Sequence, residues 1–318
     1  MSGAAPVVDR TGGLPTAAPV RRGLSRKHRE WIAAYLFVAP DLLGLLVFLA
    51  TPMVLALSMG FFKVSGFGDY HYVGLANYRR LLSDSDFHHS IRVTAIYALV
   101  LVPGLYAVSL ALALLMQQRL PFTGVLRSMF YLPNVVSLVV IGVVWKFLLI
   151  TRIGIVARLS DRLGFTERSW LGDPAFTLWT VLGITIWFLM GFYMIVFLAG
   201  LQDIPSEYYE AARIDGAGYW EMFRSITLPL LKPTSFFVLL VSSVAAVAGG
   251  QGVDLIIVMT SGGPARATSL VTYYVYQQAF QVGDYGYAAA LASFLVLVLL
   301  IATIGLFALT KGGRFELG

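Results

Sequence analysis

Cysteine is absent from this chain and charge is scarce. Its 318 residues include no cysteine and only 13% charged side chains, where soluble domains carry about a quarter. Without thiols there are no disulfides, no thiolate catalysis and no cysteine-ligated metal. The four histidines, His28, His71, His88 and His89, form no pair at metal-binding helical spacing. No phosphate-cradling lysine loop, nucleophile turn or paired-carboxylate arrangement is visible. The sequence therefore carries no recognisable hydrolytic chemistry of its own. What it has in abundance is apolar surface: 58% hydrophobic residues and a mean hydropathy of +0.77. That is the composition of a membrane protein in contact with a lipid bilayer. The net charge of +6 is no nucleic-acid footprint, since the basic residues mostly fringe apolar segments.

Six apolar segments reach the roughly 20 residues a membrane span needs: 35–62, 93–116, 128–150, 176–201, 233–258 and 287–310. None shows the two-residue alternation of a barrel strand, so helices must satisfy the backbone. The expected fold class is an all-α membrane protein with six transmembrane helices, its main domain covering residues 31–311. Residues 1–30 end in the basic run RRGLSRKHR and read as a disordered cytoplasmic tail. They do not read as a cleaved signal, because the apolar segment that follows is too long. Residues 312–318 form a second short tail. With the N-tail inside, the inner segments hold 13 Lys/Arg and the outer loops eight, which obeys the positive-inside rule. Both termini are then cytoplasmic, although the outer loop 151–175 holds four arginines that pull the other way.

Between the fourth and fifth segments lies a polar island at residues 207–229, EYYEAARIDGAGYWEMFRSITLP. Ser206, after Pro205, is placed to cap a helix, with Glu207 in its first turn. Gly216 can stop that helix in a left-handed conformation. Helical spacing then sets Tyr208, Ala211, Ala212 and Asp215 on one arc. The adjacent alanines leave a shallow face. A second short helix over 219–226 gathers Tyr219, Met222, Phe223 and Ile226, and Pro229 turns the chain into the next segment. Such an elbow suits a peg in a partner's groove. An ordinary membrane-surface hairpin is the competing reading of the same residues.

The pattern Glu210-Ala211-Ala212, then Gly216, then Ile226, Leu228 and Pro229 resembles the EAA loop of bacterial binding-protein-dependent ABC importers. Every signature position matches. Residues 131–148, 251–264 and 276–292 look like the carbohydrate-uptake branch, in particular its maltose-type and glycerol-3-phosphate-type first permease subunits. The resemblance implies a non-catalytic permease of the bacterial inner membrane that forms half a translocation pathway. Its implied partners are a second homologous permease, an ABC ATPase dimer and an extracytoplasmic solute-binding protein. ATP and Mg would sit on the ATPase, with no cofactor on this chain. The resemblance makes Tyr208, Glu210, Ala211, Ala212, Asp215, Gly216, Ala217 and Phe223 the ATPase-coupling residues. It also makes the fourth and fifth segments the lining of the substrate path.

In the fourth segment Trp187, Phe188, Phe192 and Tyr193 offer rings on which sugar C–H faces stack. In the fifth, Gly249, Gln251, Gly252 and Asp254 lie together in AGGQGVD. Glycines there permit close helix approach or local unwinding, and Gln or Asp at membrane depth needs a protein or water partner. Interhelical packing, with Asp254 pairing near the outer surface, is the plainer reading. Where relatives often carry an aromatic before this Asp, the chain has Val253. An ion-gradient-driven secondary transporter would show midplane ionisable groups and inverted repeats, and neither stands out. A membrane scaffold without a substrate path, and an importer of amino acids or peptides, are the remaining alternatives.

Overall fold

The computed structural model describes residues 26–65, 68–118, 122–151, 153–162, 164, 169–249 and 252–309. The chain divides into two compact units, Met1–Val54 and Leu55–Gly318.

The described part of the first unit is an apolar helical rod. Helix α1 (Arg26–Leu45) passes through a π-helical turn at Leu46–Ala50 into α2 (Thr51–Ser58). Pro52 supplies no backbone N–H, so the wider turn ahead of it absorbs the misfit. The Thr51 hydroxyl donates to the Leu46 carbonyl at 2.8 Å, occupying one carbonyl of that turn. None of the most apolar stretch of this rod is buried, and residues such as Phe37 and Phe48 stand fully outward. A surface of that kind suits lipid.

The second unit continues from a short 3-10 turn into an antiparallel hairpin, β1 (Phe62–Ser65) and β2 (Asp69–Tyr72), with Phe62 opposite Tyr72. Then come α3 (Ala76–Ser83), α4 (Ser85–Gln117), α5 (Thr123–Val135), α6 (Leu138–Leu149), α7 (Ile155–Arg162) and α8 (Pro174–Gln202). They are followed by α9 (Ser206–Ile214), α10 (Tyr219–Met222), a π turn at Phe223–Thr227, and α11 (Leu228–Leu230). The chain closes with α12 (Lys232–Ala248), α13 (Gly252–Met259), α14 (Val271–Tyr276), a π turn at Gln277–Val282, and α15 (Tyr285–Leu309). Among the described residues five helical stretches are long and apolar enough to cross a membrane, or six if α5 and α6 form one span.

Two of the six expected spans are broken. Helices α5 and α6 meet at 96°, because Val136 and Ser137 are extended (ψ 144° and 130°). Pro133 withholds a donor just before the break, and Asn134, Val135, Val136 and Ser137 are all weak helix formers. The fifth segment ends α12 at Gly249, whose φ of +69° is left-handed, and resumes at Gly252. The hairpin and the short amphipathic helices α3 and α7 lie in loops where no element was expected.

The core forms where α4 packs on α8, from Tyr97, Leu101 and Leu105 on one side and Val181, Leu182 and Met194 on the other. Burying such side chains fully stabilises by about 1.5–3 kcal/mol each. The buried Tyr97 hydroxyl donates to Thr185 Oγ1 at 3.1 Å, and Tyr106 pairs with Ser235 of α12 at 2.9 Å. Helix α5 crosses α8 at Gly191, where an added Cβ would overlap the Phe130 carbonyl and stand 2.8 Å from the Tyr131 Cα.

A polar clamp closes one end of the bundle. Asp84 caps α4, its Oδ1 accepting the Asp86 and Phe87 amides at 2.9 and 3.2 Å. Its Oδ2 accepts the hydroxyls of Tyr274 at 2.7 Å and Tyr287 at 2.5 Å. Arg80 lies 3.9 Å over the Tyr287 ring and pairs with Asp284 at 2.7 Å. Burial alone would raise the Asp84 carboxyl pKa, but the two hydroxyls, the Phe87 amide and Arg80 outweigh it and hold it below the usual carboxylate range. Burial, then the hydrogen bond and charge of Asp84, keep the Tyr274 phenol protonated. Because the folded carboxyl pKa is depressed, its stabilisation is present above the unfolded value of about 4 and is lost as pH falls through the folded one. Asp84→Asn is therefore expected to lower the melting temperature in detergent at neutral pH, with the gap to wild type closing below about pH 4. A gap constant from neutral to acid pH would refute this account of the clamp.

Candidate functional site

At the other end of α4 the island between α8 and α12 folds as an elbow. Pro205 (φ −60°, ψ 136°) precedes α9 as its cap and offers no side-chain bond. Ser206 is thus the first helical residue and not the cap the sequence pattern placed there. Proline's fixed φ restricts the chain just outside the helix, and Glu207 puts negative charge in the first turn. The far end of α9 closes on Gly216 at φ +81°. The Gly216 amide donates to the Arg213 carbonyl at 3.1 Å and the Ala217 amide to the Ala212 carbonyl at 2.9 Å. This pair of reversed bonds satisfies two end carbonyls and fixes the chain's exit direction.

After Gly218, α10 leads into the π turn Phe223–Thr227 and on through α11. Helical structure therefore passes Pro229, where a turn was expected, because the widened turn accommodates the missing N–H. The Thr227 hydroxyl bonds back to the Met222 carbonyl at 3.4 Å, matching Thr51 ahead of Pro52. Tyr209 ties the two arms together, its hydroxyl 3.0 Å from Thr227 Oγ1. Behind the arms lies a cavity of about 290 Å³ lined by Leu114, Gln117, Glu210, Arg213, Met222 and Phe223, among others.

The arc of Tyr208, Ala211 and Asp215 is exposed and Ala212 is half-buried, as are Ala217 and Phe223. Phe223 packs against the core and stacks on Trp220 at 5.3 Å. Three apolar side chains outside the expected set stand out from the elbow: Ile214 at 87% exposure, Tyr219 and Trp220. The signal for Ile214 is its place between Arg213 and Asp215, an apolar residue in a polar run with no inward face to occupy.

The aromatic residues of α8 separate into two groups. Phe188 and Tyr193 are 4% and 3% exposed and belong to the core, with Phe192 edge-on to Tyr193 at 5.2 Å. Trp187 instead meets Trp145 edge-on at 5.6 Å. Both line a cavity of about 340 Å³ with Trp170, Trp179, Thr180 and Ile184. In the fifth segment Gly249 abuts Thr272, and a Cβ at Gly252 would lie 2.9 Å from the Tyr97 hydroxyl. The glycines thus combine unwinding with close approach to α4, and Asp254 is exposed in the first turn of α13. Gln251 lies outside the described residues.

The description "binding-protein-dependent transport system inner membrane component" matches residues 105–312, which contain α8, the elbow and α12 to α15. A probable ABC transporter permease of Pyrococcus horikoshii is 34% identical over 275 residues, covering 85% of this chain and 92% of the relative. The trehalose/maltose transport system permease MalF of Thermococcus litoralis is 34% identical over 296 residues, covering 91% and 96%. A chain of a bacterial alginate ABC transporter, solved in complex with an alginate pentasaccharide-bound periplasmic protein, superposes with a TM-score of 0.78 at 25% identity. That match covers 89% of this chain and 95% of the other. The helical spans, the polar elbow between α8 and α12 and these matches lead to one assignment: the chain belongs to the binding-protein-dependent transport system inner membrane component family, the permease subunits of ABC importers.

Proposed function

We propose that the chain is half of the translocation pathway of an ATP-driven importer for sugars or sugar-like solutes, and that its elbow is the contact through which a partner ATPase drives it. The observation that carries this reading is the elbow itself. It is capped at Gly216 and tied by Tyr209 to Thr227, and it presents Ile214, Tyr219 and Trp220 outward. Apolar side chains held on a rigid polar scaffold are what a protein partner buries. The partners are a dimer of ABC ATPases holding ATP and Mg, a second homologous permease and an extracytoplasmic solute-binding protein. The elbow and both termini face the cytoplasm of the bacterial inner membrane.

In this mechanism closure of the ATPases moves the elbow as a rigid body, and α8, α12 and α13 follow because they are covalently continuous with it. ATP shifts the permease toward its outward form only by binding that form's docked arrangement more tightly. No hydrolytic step falls to this chain. The sugar class rests on the trehalose/maltose relative and on the rings of α8, with Trp187 on an open cavity and Phe192 partly exposed.

Uptake of radiolabelled maltose by cells carrying the full assembly is expected to stop on ATP depletion and to survive a proton ionophore while ATP is maintained. The opposite pattern would favour a gradient-driven carrier and overturn the proposal.

A further inference from the structure

A third cavity lies at the end of α4 opposite the elbow, about 50 Å away by the rise of the intervening helix. It encloses about 220 Å³ and is lined by Asp86, Ser261, Arg266, Ser269, Tyr273 and Gln278, among others. The segment Thr260–Leu270 that forms one wall is internally bonded. Thr268 Oγ1 donates to the Gly263 carbonyl at 2.9 Å and meets Thr260 Oγ1 at 2.8 Å. Tyr273 donates to the Ser261 carbonyl at 2.8 Å. The wall is thus held in place before any ligand arrives.

Gln278 is 8% exposed, and its Oε1 is one of few buried polar side-chain atoms without a partner among the described residues. Asp84 is held ionised and accepts the Tyr274 hydroxyl proton. Tyr274, its own proton committed to Asp84, lines the same cavity beside Gln278. Gln278 lines the cavity, and its Oε1 is a buried acceptor without a partner, an arrangement costly to keep unless something donates to it.

Beside it Arg266 and Asp86 form an ion pair, which presents both donors and acceptors with no net charge. Tyr273 starts a ladder of rings continuing through Tyr276 at 6.3 Å to Phe280 at 5.3 Å. Phe280 is 71% exposed. A polar edge with a vacant acceptor next to a run of aromatic faces matches a sugar ring, with its hydroxyl rim and C–H face. Because Arg266 already has its counter-ion, an anionic solute finds no free charge there.

We propose that this cavity is an intake subsite for one ring of a neutral polyhydroxylated solute, with Gln278 Oε1 accepting a hydroxyl, the Asp86–Arg266 pair bonding the adjacent rim, and the Tyr273 ladder guiding the ring inward. This rests on the importer reading above and places substrate contact well away from the middle of α8 and α12. Nothing in it requires the aromatics of α8.

The test uses the full chain in lipid nanodiscs without ATPase, with maltose and trehalose as neutral probes and gluconate as an anionic one. Saturation-transfer NMR is expected to show weak binding of the neutral sugars and none of gluconate. Gln278→Met and Gln278→Leu should weaken maltose binding about five- to tenfold, the loss of one hydrogen bond, at unchanged melting temperature. Should either variant fold poorly, the wild-type chain still decides: maltose should slow phenylglyoxal modification of Arg266 relative to Arg79. Binding unaffected by the folded variants, preference for gluconate, or no protection of Arg266 would each overturn the proposal. Failure of ATP-dependent uptake alongside intact, Gln278-dependent maltose binding would instead count against the importer reading and leave the subsite standing.

Discussion

Gly216→Pro is expected to abolish ATP-driven uptake while leaving the helical bundle folded and inserted. The native φ at this position is +81°, and proline holds φ near −65°. The substitution also deletes the amide that bonds to the Arg213 carbonyl. Reversing the sign of φ sends α10 off at a different angle, and the bonds closing α9 are lost. The disturbance stays local, because a side chain at Gly216 would have no neighbour within 4 Å. Coupling between distant sites is typically worth about 1–3 kcal/mol, so losing it should cut uptake by up to about a hundredfold. Ala211→Arg, which places a long cation on the exposed arc, should do the same without altering backbone. Both effects would be read in proteoliposomes carrying the reconstituted importer, with co-purification of the ATPase as the second measurement. Normal transport and normal co-purification in both variants would remove the docking role of the elbow.

Gly191→Ala should produce a large loss of stability from a single added methyl. At Gly191 the obstacle to a Cβ is the Phe130 carbonyl and the Tyr131 Cα, and backbone cannot rotate away as a side-chain tip can. Helices α5 and α8 would have to separate along their contact. Overpacking typically costs about 1–3 kcal/mol, and more where backbone must move. Melting of the purified chain in detergent should therefore fall by several degrees. Gly183→Ala, on the same helix with nothing within 4 Å, should be neutral or slightly stabilising, since alanine favours helix by about 1 kcal/mol. Equal melting temperatures for the two variants would mean that the α5–α8 crossing is looser than described.

Local signals in the sequence were enough for the spans and the elbow, since hydropathy over 20 residues and the Glu210 to Gly216 pattern each lie within one stretch of chain. The left-handed Gly216 followed from the same local chemistry, whereas the glycines around Gly249 left close approach and unwinding equally open. The bend between α5 and α6 was harder to see, because Pro133 inside an apolar run fits a kinked span equally well. The π turn ahead of Pro229 was illegible for a related reason: proline announces a missing donor, not how the chain accommodates it. The Asp84 clamp joins residues about 190 positions apart in sequence, and no periodicity reports such pairing. Gln278 emerged only from the fold, since a buried acceptor without a partner leaves no mark in the sequence.

The π turn at Phe223–Thr227 has a bearing on everything downstream of it. A turn of this type holds one residue more than an α-helical turn, and each residue rotates the helix by about 100°. The azimuth of α12 is thus dialled by a single supernumerary position before Pro229. Removing one residue there would swing Val238, Ser242 and Ala246 off their buried seam by more than a quarter revolution. The elbow thereby sets, by phase as well as by direction, which side of the following span meets protein and which meets lipid.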